Sequence, residues 1–157
     1  MHTNAISAGE GRTVWVAGDR YTIKASGEDT GGAFALFEAT VPPQAGPPPH
    51  VHHREDEAFY VLEGEILFHA DGRSFTAGQG AWVTLAKGSL HHFKNTSTTP
   101  AKMLIMVTPS GLENYFLEVG REARDGDVAP VVPTPEDIEK LVAIAPKYGL
   151  EIRLPHS

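Results

Sequence analysis

Five of the eight histidines fall in two tight groups, His50, His52 and His53, then His91 and His92. Side chains on an extended strand alternate between faces, so His50 and His52 point one way and His53 the other. The first pair can therefore hold one metal ion. Glu57, five residues after His52, shares a strand face with Phe59 and Val61, and a lone carboxylate there is costly unless a cation meets it. His91 shares a face with Phe93 while His92 turns away, so the second group supplies one ligand. The candidate set is His50, His52, Glu57 and His91. Three neutral nitrogen donors and one carboxylate suit a divalent first-row ion (iron, manganese, cobalt, nickel, copper or zinc) and do not suit calcium or magnesium. An ion that prefers five or six ligands keeps positions open for water, dioxygen or a substrate oxygen, which makes the site a candidate catalyst.

The remaining polar residues near these groups carry plainer expectations. Parity turns His53 and His92 toward solvent or into a supporting role behind the ligands, and His69, His2 and His156 read as surface residues. Alternation sends Glu55 and Glu57 one way and Asp56 the other, and Glu55 is expected to be solvated at the entry of the Glu57 strand. Phe59, Phe93, Met103 and Ile105 are expected to line an apolar pocket around the ion, as a planar aromatic substrate requires, with ordinary core packing as the alternative. The run Pro47-Pro48-Pro49 stiffens the approach to His50.

The elements that must position these side chains are strands. From Thr13 to Thr108 short runs rich in β-branched and aromatic residues are cut by Gly, Pro, Asp and Asn. Strands are expected at Thr13–Ala17, Arg20–Ser26, Ala33–Val41, Glu57–Leu62, Glu65–Ala70, Arg73–Thr76, Ala81–Leu85, Leu90–Asn95 and Ala101–Thr108. Glu63-Gly64 and Asp71-Gly72 read as hairpin turns, because Gly supplies the positive φ of a two-residue connection. So many short strands hide their edges best in a closed barrel or two-sheet sandwich. Pro130, Pro133 and Pro135 mark a linker-like passage. Thr134-Pro135-Glu136-Asp137 then opens a helix with a capping hydroxyl, proline at its first position and acids in its first turn. Ile138, Leu141, Val142 and Ala145 form its apolar face, Pro146 limits it and Gly149 ends it. A shorter helix over Leu112–Val119 is also expected, and both read as covers on the β core.

The 157 residues bound the remaining possibilities. A chain of this size buries roughly 68–70% of its unfolded surface and needs neither disulfides nor a metal merely to hold a core. One domain over residues 1–157 is expected. The formal charge of −7, with scattered Lys and Arg, argues against nucleic acid. No apolar run approaches the ~20 residues of a membrane span. The first residues lack the basic and apolar regions of a secretion signal, and the cytoplasm is the expected compartment. The absence of cysteine removes thiolate nucleophiles and Cys-ligated zinc.

At this point the chain resembles a single-domain cupin. The first cupin motif pairs His-x-His with a Glu and then a Gly, here His50-Val51-His52, Glu57 and Gly64; the second is met by Gly80, Gly88, His91 and Asn95. The proline of the second motif is Ala86, and the glycine ahead of the paired histidines is displaced to Gly46. The resemblance implies an all-β jelly-roll barrel or sandwich with short C-terminal helices packed on it, and by analogy a homodimer. The segment from Gly46 to Gly64 is similar to the metal-binding stretch of bacterial quercetinase-like flavonol dioxygenases. That similarity implies oxidative opening of a flavonol or related aromatic enol, with Glu57 taking the substrate proton and His50, His52 and His91 holding the ion. Two alternatives are an enzyme using the metal as a Lewis acid, such as an isomerase, epimerase or hydrolase, and a cupin that only binds a small molecule.

Overall fold

The computed structural model describes residues 1–124 and 132–154. Pro130 of the linker-like passage and His156 lie outside the described residues. Two antiparallel sheets face each other. The larger runs, in spatial order, β11 (Arg121–Glu122), β1 (Arg12–Val16), β2 (Asp19–Ala25), β3 (Ala35–Val41), β10 (Ala101–Thr108), β5 (Asp56–Glu63) and β8 (Trp82–Leu85). The smaller runs β12 (Leu150–Ile152), β4 (His50–His52), β9 (Leu90–Lys94), β6 (Ile66–Ala70) and β7 (Arg73–Ala77).

Period-two alternation builds the space between them. Ala35, Phe37, Ala39 and Val41 of β3 and Ala101, Met103, Ile105 and Val107 of β10 all point inward and are buried. Small residues beside large ones let the rings of Phe59, Phe68 and Phe93 meet edge-on from opposite sheets. Each such ring contributes roughly 1.5–3 kcal/mol by leaving water.

The Asp71-Gly72 pair forms the expected turn between β6 and β7, both residues at positive φ (50° and 78°). Glu63-Gly64 does not. β5 and β6 belong to different sheets, so Gly64 is a corner at which the chain crosses from one to the other. Its φ is 77°, and a Cβ there would sit 3.1 Å from that of Ala101. Gly46 (φ 151°) lies against the backbone of β9, where a Cβ would overlap the Phe93 carbonyl. Asn95, fully buried, spends its side-chain amide on the carbonyls of Val41 and Thr99 and accepts from Ser97, tying the end of β9 to that of β3.

Among the helices, α1 (Gly27–Thr30) is a single turn, and α2 (Leu112–Val119) occupies the expected span. α3 (Pro135–Ile144) begins with a capping box: Thr134 Oγ1 accepts from the Asp137 amide and Asp137 Oδ2 accepts from the Thr134 amide. Leu141 and Ala145 are buried as expected, whereas Val142 is 36% exposed because it falls on the outer edge of the stripe. From Ala145 to Tyr148 the helix tightens to a 3-10 turn at Pro146, and Gly149 closes it in the left-handed conformation. The chain then returns as β12 and pairs with β4. Among the described residues no helix is long and apolar enough to cross a membrane.

Candidate metal centre

Three strands deliver a four-residue cluster. β4 presents His50 and His52 on its inner face, and His91 of the neighbouring β9 lies directly opposite His50 in register. Glu57 arrives from β5, in the other sheet. One ligand atom from each of the four lies within 4.8 Å of the others. His52, Glu57 and His91 are buried and His50 is 9% exposed. Glu57 Oε1 stands 2.9 Å from His91 Nε2 and 3.5 Å from His52 Nε2.

Backbone carbonyls fix two of the rings. His50 Nδ1 is 2.8 Å from the Pro48 oxygen and His91 Nδ1 is 3.0 Å from the Ser89 oxygen. A carbonyl only accepts, so both Nδ1 atoms carry hydrogen, and in the neutral rings both Nε2 atoms keep a free lone pair. The lone pair of His91 Nε2 then faces a carboxylate oxygen, which is favourable only with a proton or metal ion shared there. This donor set fits a divalent first-row ion. Burial, aided by the neighbouring His52 and His91, pushes His50 down to about 3, so it stays neutral as a ligand must. Burial alone would raise Glu57, but the surrounding imidazoles, His52 foremost, hold its carboxyl well below the usual range.

A cavity of about 50 Å³ adjoins the cluster, lined by His50, His52 and Glu57 together with Tyr21, Phe93, Ile105, Leu112, Phe116, Leu141, Leu150 and Ile152. Phe93 and Ile105 are thus on its wall. Phe59 and Met103 are not: both sit deeper, packed in the core between the sheets. The C-terminal elements supply much of the wall, which strand reasoning missed because helix and strand side chains meet here only through tertiary packing. Pro47 and Pro48, read earlier as a stiff approach, also line it. Tyr21 is held by stacking on Phe116 (4.4 Å) and donates its hydroxyl to Asp19, 3.2 Å away.

Other expectations change. Glu55 is not solvated but only 4% exposed, with Oε2 3.4 Å from His52 Nδ1. Residues 53–55 form the crossing from β4 to β5 and are not strand, and this crossing covers Glu55. His53 is outside, 3.7 Å from Glu151. His69 stacks on His92 at 4.5 Å and meets Ser74 Oγ at 2.7 Å.

Residues 37–107, which span Glu57 and all three histidines, match the family model of the cupin domain. The chain contains a cupin domain. Over 133 residues it is 26% identical to the quercetin 2,3-dioxygenase of Aspergillus japonicus, an alignment covering 80% of this chain and 38% of that protein. The chain therefore spans little more than a third of that relative's length. Two solved structures share its fold: a predicted oxalate decarboxylase of Thermotoga maritima, with TM-score 0.61 and 22% identity over 68% of this chain and 99% of that one, and KdgF of Halomonas sp., with TM-score 0.63 and 15% identity over 73% and 99%. At these identities the likeness is one of fold, and cupin chemistry must be argued from the site.

Proposed function

We propose that this cupin is a metal-dependent enzyme acting on a small oxygen-bearing molecule, and specifically a dioxygenase of a flavonol or related aromatic enol. The observation that carries the proposal is the convergence of three imidazoles from one sheet and a carboxylate from the other beside an apolar cavity. The dioxygenase reading is supported by the similarity, along 80% of the chain, to quercetin 2,3-dioxygenase.

His50, His52, His91 and Glu57 would hold the ion. When bound, a divalent first-row metal supplies Lewis acidity toward a hydroxyl and a means of engaging dioxygen. Glu57, ionised and facing the cavity, is the proton acceptor within reach of a hydroxyl entering beside it. Phe93, Ile105 and Phe116 exclude water from that encounter.

Anaerobic addition of quercetin to metal-loaded protein is expected to shift the flavonol absorption band, and admitting air to consume oxygen. Glu57→Gln should lower the rate by roughly 10²–10⁴-fold. An unchanged spectrum with manganese, iron, cobalt, nickel, copper and zinc in turn would remove the dioxygenase reading.

Cavity size favours a second reading. About 50 Å³ holds a few water molecules, so a flavonol requires the wall formed by α2, α3 and β12 to move, whereas a small enolisable hydroxy-carbonyl compound does not. Turnover of such a compound under argon would identify a Lewis-acid isomerase or epimerase instead.

A further inference from the structure

We infer that Glu55 is a positioning residue for the metal centre, its carboxylate holding the His52 ring so that Nε2 faces Glu57 and the ion. The inference rests on the reading of the four-residue cluster as a metal site and goes beyond it.

All three imidazoles face the same problem, since each must turn a bare nitrogen inward and satisfy the other one. His50 and His91 solve it locally, each Nδ1 meeting the carbonyl two residues earlier in the chain, Pro48 and Ser89. His52 does not share this device. Its Nδ1 is buried without a hydrogen bond, and the same is true of Glu55 Oε2. These two atoms lie 3.4 Å apart, in side chains 5% and 4% exposed. Two otherwise unsatisfied polar atoms at that separation are each other's partner, because a buried carboxylate oxygen left alone is costly.

The crossing from β4 to β5 is built to bring Glu55 there. Arg54 is anchored outward, donating from Nη1 to the Lys147 carbonyl, and a Cβ on Gly149 would overlap its side chain. Asp56 is anchored outward on the other side, Oδ1 accepting from the Lys87 amide at 2.8 Å. Between two residues fixed outside, Glu55 is turned in. The consequence for charge is that two carboxylates, Glu55 and Glu57, surround three imidazoles. With those imidazoles neutral, the pair matches the charge of one divalent ion. A carboxylate behind a ligating imidazole also raises its basicity and fixes its orientation.

The test is metal affinity of the full chain, measured with zinc by competition against a chelating dye. Wild type and Glu55→Gln are both expected to bind one ion, the variant roughly 10–100-fold more weakly. In a His52→Ala background the same change should have no further effect, because Glu55 acts through His52. Equal affinity of wild type and Glu55→Gln would overturn the assignment, as would an undiminished loss in the His52→Ala background. Should Glu55→Gln fail to fold, the imidazole ¹⁵N spectrum of zinc-loaded wild type decides: coordination through His52 Nε2 supports the inference and coordination through Nδ1 overturns it. Failure of wild type itself to bind zinc, nickel or manganese, or binding that survives His91→Ala, would instead bring down the metal-site reading. Loss in His91→Ala with no effect of Glu55→Gln would bring down only the role of Glu55.

Discussion

Two buried carboxyl groups in this barrel have opposite fates, and neighbouring charge decides between them. Glu57 sits among imidazoles and is held ionised. Asp19, fully buried on the inner face of β2, has the Tyr21 hydroxyl as its hydrogen-bond partner, and burial pushes it up to about 8. The unfolded chain releases that proton near 3.8 while the folded chain keeps it to about 8, so stability is lost as pH rises through this window and is level above it. Asp19→Asn should therefore stabilise the fold by more than about 2 kcal/mol at pH 8 and by little at pH 4. Urea denaturation at the two pH values measures this, and a gain equal at both would mean that Asp19 is charged in the native state. At this scale the convergence of His50, His52, Glu57 and His91 was legible in the sequence, because they lie on strands where parity assigns faces. The burial of Glu55 was not, because alternation gives its direction while only the packing of the crossing between the sheets closes it off from water.

The elements were legible where a local signal exists. β10 and α2 stand where the sequence puts them, and the capping box of α3 is written in Thr134 and Asp137. Thr134→Ala removes the oxygen that accepts from the Asp137 amide and should cost about 1 kcal/mol, read as a lowered thermal midpoint. Asp137 also binds Arg121, which follows α2 (2.7 Å), so a loss well above this would indicate that the helix docks through the cap. The strands β11 and β12, of three residues or fewer, carry too short a pattern to be recognised, whereas β4 is marked only by its alternating histidines. Gly64 shows the converse error. Positive φ was expected and is present, but whether such a glycine closes a hairpin or turns a corner between sheets depends on which strands pair.

Across the whole molecule, the four-residue cluster that could hold a metal joins the two sheets, three histidines from the smaller and Glu57 from the larger. An ion bound there clamps the sandwich and stabilises only the folded chain. Metal at one hundred times its dissociation constant should add about 2.7 kcal/mol of stability, seen as an upward thermal shift that His91→Ala abolishes; binding without any shift would place the ion outside the inter-sheet site. The strap formed by α3 and β12 closes the cavity over this centre, pairing directly with the strand that bears His50 and His52. The sequence by itself determined the residue types of the candidate centre, their strand faces and the all-β class, since these follow from side-chain chemistry and a period of two. Only tertiary structure decided that Glu55 backs His52, that Phe59 and Met103 belong to the core, and that C-terminal residues wall the cavity. Those contacts join segments distant along the chain, and the free energy of packing them is absent from any local pattern.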